Sequence, residues 1–343
     1  MDMHHGLAKA SNSLFPLEET YMKTFTKTSA WAVLSSSMLA QFMLAQSAVA
    51  EPFAYAANEK SGTVSIIDTA TNAVVGDIAA GKKPRGMTAS KDGKTLYVSD
   101  QPEKALQVID VATRKVTGKI DLGESPEGVY RSPDGKWIAV AIEEDNSVHF
   151  IDAASGKTEF NVKTEGDNPE HSVFSPDSKL VYVSAEEADT VDVIDVAAKE
   201  QIASIKVGKR PRGIGFTPDG KFAYVACELV DKVFVIEVAT QKVIAEIPAG
   251  LRVNGVTAHP DGKTVFVTNG GDGNVMVIDV ATNKVTKTIP VGKRPWNMAI
   301  TADGGKLYVA NGRSNSVTAI DTVKLEPITE IAVGEFPWGV FIP

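Results

Sequence analysis

His171 stands beside Glu170, and an imidazole next to a carboxylate is the smallest pair that could move a proton or begin a metal site. The other histidines offer less. His4 and His5 fall in the first few residues, His149 sits within an apolar alternation, and His259 precedes an Asp-Gly turn. The chain has no C-x-x-C-H haem attachment, no H-E-x-x-H helix, no P-loop and no dinucleotide glycine fingerprint. Its single cysteine, Cys227, rules out an intramolecular disulfide; with no histidine placed near it, it reads as a partly buried thiol and not a nucleophile. A net charge of −8 argues against nucleic acid, which requires a basic footprint.

What positions these residues is a repeat. Residues 208–250 read GKRPRGIGFTPDGKFAYVACELVDKVFVIEVATQKVIAEIPAG, four short β-branched and aromatic runs separated by turn residues. Runs this short, broken at Asp219-Gly220 and at Thr240-Gln241-Lys242, predict four antiparallel strands and no helix. The acid closing the third run recurs at Asp68, Asp110, Asp152, Asp195, Glu237, Asp279 and Asp321, 42 or 43 residues apart. A period of roughly 40–45 residues with four strands per copy predicts an all-β, seven-bladed β-propeller of four-stranded antiparallel blades. The seven acids, and the Asp-Gly turns at Asp92, Asp134, Asp219, Asp261 and Asp303, are expected to accept local backbone hydrogen bonds, not to catalyse.

Bends at Pro84, Pro126, Pro169, Pro211, Val253 and Pro295 open six complete copies, whereas Pro337 opens only the last few residues. Residues 53–81 supply strands two to four of a copy that lacks its first. The C-terminal segment is therefore expected to become the innermost strand of that N-terminal blade, closing the ring and covering its edges.

Residues 1–50 stand outside the repeat. Lys23 and Lys27, an apolar run over residues 31–44 and the small residues Ala48-Val49-Ala50 make residues 22–50 a signal peptide cleaved after Ala50. The apolar run is too short to span a bilayer comfortably. Glu18-Glu19 must be encoded by purine-rich codons just upstream of Met22, where a bacterial ribosome-binding site would lie. Residues 1–21 thus read as an upstream extension of the gene, and His4 and His5 drop out as ligands. Residues 51–343 then form a single propeller with nothing left for a second domain, and the product is expected in the periplasm as a monomer.

Tyr97-Val98-Ser99-Asp100, Phe266-Val267-Thr268-Asn269 and Tyr308-Val309-Ala310-Asn311 resemble the tetrad of the YVTN-repeat propellers. With the leader and length, the repeat wording is most similar to the propellers associated with PQQ-dependent alcohol catabolism. That resemblance implies an accessory role to a periplasmic quinoprotein dehydrogenase or cytochrome system. The residues themselves show no quinone site, and no cofactor is evident; a metal at His171 is the one cofactor the residues leave open.

In propellers resembling this one, the bend entering each first strand faces the mouth of the central channel. Just after the bend the ring reads Trp296, Trp338, Arg85, Glu127, Glu170, Arg212 and Asn254; just before it, Arg294, Phe336, Lys83, Ser125, Asn168, Arg210 and Arg252. The next position inward is Gly in five copies, but His171 and Asn297 in the others. The loop between second and third strands is acidic in three consecutive blades, through Glu143-Glu144-Asp145, Glu186-Glu187-Asp189 and Glu228 with Asp231. The expectation is a face with an acidic arc, a basic arc through Arg210, Arg252 and Arg294, and an aromatic corner at Trp296, Trp338 and Phe336 that brings the two tryptophans together. Arg85–Glu127 and Glu170–Arg212 are also placed to form simple inter-blade ion pairs.

Three functions compete. The first is a periplasmic binding or scaffold protein that takes a partner protein or small ligand at the channel mouth. The second is a lactonase- or lyase-like enzyme built on His171 with Glu127 or Glu170. The third is a structural envelope module, for which an evenly featured mouth would be expected.

Overall fold

The stretch Phe222–Cys227 shows why the repeat folds as it does: Ala223 to Cys227 are all buried. Both faces of such a strand meet apolar neighbours, one from each adjoining blade, so a continuous apolar run replaces the alternation of a one-sided sheet. The outer strand of each blade, for example Lys242–Pro248, alternates exposed residues with half-buried or buried ones, such as Ile247, because only its inner side has a neighbour. The structure, a computed structural model, describes residues 53–343. The expected signal peptide, its expected cleavage site and the expected upstream extension lie outside the described residues.

The described chain forms seven four-stranded antiparallel sheets with no helix, the seven-bladed propeller expected from the period. We number the blades from the N-terminus. Blade 1 is shared: its inner strand Pro337–Phe341 pairs with Phe53–Asn58, in the register Ala56↔Val340 and Ala57↔Gly339. Ring closure by the C-terminal strand is thus as the sequence predicts. The inner strands of blades 2 to 7 are Pro84–Ala89, Pro126–Arg131, Pro169–Phe174, Pro211–Phe216, Val253–Ala258 and Pro295–Ile300.

Seven apolar clusters hold the ring, each spanning one inter-blade interface. Between blades 4 and 5, for instance, Tyr182 and Val193 pack with Phe216 and Phe234, the Tyr182 and Phe216 rings edge to face at 4.9 Å. Every blade therefore depends on both neighbours, and the fold holds without a disulfide across its length.

The turn acids are structural. Asp68 accepts from the amides of Ala70 and Thr71 at 2.8 and 2.9 Å, and Asp195 from Ala197 and Ala198 at 2.9 Å each. Glu237 instead accepts from the Thr240 hydroxyl at 2.7 Å. His259 holds its own turn, with Nδ1 accepting from the Asp261 amide at 3.1 Å and Nε2 donating to the Gly304 carbonyl at 3.1 Å.

Candidate binding site at the channel mouth

The mouth is assembled by one backbone device repeated around the ring. The residue before the bend adopts a left-handed conformation in six blades: Ser125, Asn168, Arg210, Arg252, Arg294 and Phe336, with φ of 59°, 57°, 57°, 53°, 54° and 55°. Its carbonyl accepts from the amide of the residue that follows the second strand. Examples are Arg210 with Glu228 at 2.9 Å, Arg252 with Gly270 at 2.9 Å and Arg294 with Gly312 at 3.0 Å. An L-residue is disfavoured at such φ, so the bend persists because the hydrogen bond and the next strand fix it. The consequence is that the residue before the bend and the residue after the second strand lie side by side on the mouth.

That second position reads Glu59, Gln101, Glu143, Glu186, Glu228, Gly270 and Gly312 in blades 1 to 7. The acids neutralise the basic ring. Arg85 donates to Glu59 at 3.1 Å and clamps Glu127 with Nη1 at 2.6 and 2.7 Å from its two oxygens. Arg212 pairs with Glu170 and Glu186, and Arg210 with Glu186 at 3.0 Å. Glu228, only 2% exposed, has four guanidinium groups around it: Arg294 at 2.7 Å, Arg252 at 3.3 Å, Arg210 at 3.4 Å and Arg212 at 3.7 Å. The two inter-blade pairs anticipated from the ring, Arg85–Glu127 and Glu170–Arg212, are both present. Acidic and basic arcs do not, however, face each other across the mouth. They interleave, because each guanidinium reaches sideways to the acid of an adjoining blade.

The glycines of blades 6 and 7 break this pattern. A Cβ on Gly270 would meet Arg294 Nη1 at 3.2 Å, and one on Gly312 would meet the Trp296 ring at 2.3 Å. Absence of a side chain at these positions lets Arg294 lie back over blade 6 toward Glu228 and lets Trp296 lie over blade 7. Trp296 packs against Phe336, with centroids 5.9 Å apart. Trp338 is elsewhere. It turns into the channel and lies against His171 of blade 4, with centroids 5.7 Å apart, so the two tryptophans do not form one corner. The reason is that the inner strand of blade 1 turns its tryptophan inward where the neighbouring rim position of blade 7 turns its own outward.

His171 is 0% exposed, inside the channel and not on its rim. Its Nδ1 is 2.6 Å from the Tyr130 hydroxyl of blade 3, and its Nε2 lies 3.8 Å from Glu170. Burial, with Arg212 nearby, drives its pKa down to about 3, so the ring is neutral at any ordinary pH. Burial also pushes the Tyr130 phenol up, which makes Tyr130 the donor to Nδ1 and leaves the ring proton on Nε2, facing the Glu170 carboxylate. Burial raises Glu127 to about 7 against the pull of Arg85, with Glu143 adding to the rise. Asn254 is buried on the same ring with its Nδ2 unpartnered, and Asn297 is half-buried beside Gly339. Below Trp338 the channel holds a cavity of about 300 Å³, lined by Met87, Val129, Ile214, Val256 and Met298 with Thr88, Tyr130, Thr257 and Arg131.

Tyr130, Glu59 and Gly270 with Gly312 were not singled out from sequence as site residues. The glycines had a readable signal, since they break a run of Glu and Gln at one repeat position; Tyr130 had none, because it and His171 occupy non-equivalent positions of the repeat on adjoining blades. Among the described residues no group of three or more His, Cys, Asp or Glu side chains could hold a metal ion. Cys227 is fully, not partly, buried, and burial pushes its thiol up to about 12.

Comparison with known proteins agrees with this architecture. The family described as "Lactonase, 7-bladed beta-propeller" matches residues 197–335, the YNCE-like beta-propeller family residues 51–135, and the Cytochrome D1 heme domain family residues 133–258. No curated protein matches the chain. Among solved structures, Kuenenia stuttgartiensis hydrazine synthase is 26% identical with a TM-score of 0.68, over 75% of this chain and 88% of that one. A functionally unknown protein from Desulfotomaculum acetoxidans is 18% identical with a TM-score of 0.74, over 84% of this chain and 98% of that one, a likeness of fold alone. The stretch matching the lactonases excludes His171, Glu127 and Glu170, the acid–base candidates. A haem does not fit around His171, since the ring is fully buried beside Trp338 and its Nδ1 is taken by the Tyr130 hydroxyl. Geometry and likenesses meet in one statement: the described chain is a seven-bladed β-propeller whose mouth is closed by charge pairs on one side and opened by glycines on the other.

Proposed function

We propose that this propeller is an exported binding protein whose channel mouth, over blades 6, 7 and 1, receives a partner protein or small ligand in the periplasm. The observation that carries this reading is the pair Gly270 and Gly312, which leave room for the side chains of Arg294 and Trp296 where other blades place their own acid or amide. An aromatic face beside guanidinium groups is the usual make-up of a recognition hot spot. A role accessory to PQQ-dependent alcohol oxidation fits the YVTN-type repeat. It also fits the likeness to hydrazine synthase and to the Cytochrome D1 heme domain family.

A hydrolytic function is less well supported. It would ask His171 to act as a base, and a histidine held neutral to about pH 3, engaged at Nδ1 and shut beneath Trp338, lacks both access and affinity for a proton.

The test is affinity capture from periplasm with the mature chain against Trp296→Ala/Phe336→Ala, two partly exposed changes checked for folding by thermal melting. Wild type should retrieve a quinoprotein dehydrogenase or its cytochrome, and the variant should lose it. Equal retrieval by both would remove the mouth as the functional face. N-terminal sequencing of the exported protein should begin at Glu51; a retained leader would remove the periplasmic reading.

A further inference from the structure

Beside Gly270 the mouth opens into a cavity of about 490 Å³ between the loops of blades 6 and 7. Four cations line it: Arg252, Lys293, Arg294 and Arg313. The one carboxylate there, Asp272, accepts the Leu251 amide at 2.9 Å. Arg252 and Arg294 share a single oxygen of Glu228, which also serves Arg210 and Arg212 through its other oxygen. One carboxylate has about four lone-pair sites, whereas four guanidinium groups carry about twenty N–H donors. Lys293 and Arg313 are exposed and have no ion-pair partner among the described residues.

Elsewhere on the ring this charge is answered from within. Glu59 answers Arg85, and Glu186 answers Arg210 and Arg212, each from the position that follows the second strand. In blade 6 that position is Gly270, and the acid is missing where the cations are most numerous. The backbone amides around the cavity are already used: Gly270 and Gly271 donate to the carbonyls of Arg252 and Leu251, and Lys293 to the Ser314 hydroxyl. What is left to bind is the set of side-chain donors, which are the groups that grip a carboxylate or phosphate best.

We propose that this cavity is an oxyanion subsite, in which a carboxylate or phosphate of a small polyanionic ligand takes the place of the acid that Gly270 omits. The inference rests on the reading of this face as the binding face and names the ligand chemistry there. Arg294, largely buried and already anchored on Glu228, orients its free N–H groups toward the cavity rim beside Gly270. Arg313 and Lys293 supply the exposed, unpaired charges that close over the ligand.

The experiment is calorimetric titration of the mature chain with citrate and, separately, pyrophosphate, with acetate as the monovalent control. It compares wild type with Lys293→Ala/Arg313→Ala and with Gly270→Glu. The first variant changes only exposed side chains; the second restores the missing acid. Saturable binding of citrate alone identifies a carboxylate ligand, of pyrophosphate alone a phosphate ligand, and of both a general oxyanion site. In each case affinity should fall at least about tenfold in Lys293→Ala/Arg313→Ala and should vanish in Gly270→Glu. Absence of saturable binding to either anion overturns the proposal, as does affinity that survives in Lys293→Ala/Arg313→Ala. Partner capture reads a separate quantity. If Lys293→Ala/Arg313→Ala still retrieves the periplasmic partner while the titrations fail, only the subsite is wrong; loss of capture by Trp296→Ala/Phe336→Ala bears on the face as a whole.

Discussion

The Trp338 indole, carried in by the C-terminal strand, lies 5.7 Å from the His171 ring of blade 4, the two planes inclined at 32°. One strand thus does two things: it completes blade 1 and plugs the channel from the side opposite His171 and Tyr130. Stability of the ring and closure of the channel are tied to the same few residues.

Replacing Trp338 with Ala should therefore open the channel above the cavity and remove a large buried side chain. A loss of about 3–5 kcal/mol is expected from cavity formation in a packed site. Denaturant melts of the mature chain measure it; a change below about 1 kcal/mol would mean the indole is not packed as described.

Deleting residues 335–343 should cost more than Trp338→Ala, since it also exposes the edge of Phe53–Asn58 and the interfaces of blade 1 with both neighbours. The truncated chain should melt at lower temperature and with less cooperativity. An unchanged transition would contradict the shared blade.

Acid should destabilise the fold through His171. Its folded pKa of about 3 lies below the 6.5 of an unfolded histidine, so between those values the unfolded chain binds a proton that the folded chain refuses. Stability falls as pH drops through that window, by an amount on the order of a few kcal/mol. Tyr130, Glu170 and Arg212 surround the ring. His171→Asn should flatten this limb of the pH–stability curve, and an equally steep limb in the variant would refute the assignment.

Glu127 should act in the opposite sense. Its folded pKa, about 7, is above the 4.5 of a free glutamate, so the folded chain holds a proton the unfolded chain releases. Between pH 4.5 and 7 this group makes the protein less stable as pH rises. Glu127→Gln should remove that component while leaving the His171 limb intact, which separates the two in the same titration.

Gly312→Ala should displace the Trp296 ring, because the added methyl would stand 2.3 Å from it. Trp296 emission, isolated by difference against Trp296→Phe, should shift to the red as the indole gains water. No shift would mean that the ring does not rest on that glycine.

How much of this was legible in the sequence follows from what each feature depends on. Blade number, strand count, the shared blade and the turn acids depend on local periodicity and turn chemistry. Asp68 and its six counterparts announced them by spacing alone. The pairs Arg85–Glu127 and Glu170–Arg212 were legible too, since equivalent positions on adjoining blades must be neighbours. Trp296 and Trp338 occupy equivalent positions but point to different places, one onto Gly312 and one into the channel against His171. Repeat register places backbones and says nothing of the direction a large side chain takes where space differs between blades. His171 looked like a reactive group because its neighbour in sequence is an acid; the fold instead encloses it between Tyr130, Glu170 and Trp338, and burial takes away its proton affinity. Contacts across the channel depend on the radius of the closed ring and on the reach of side chains from several blades, and those exist only once all seven interfaces have formed.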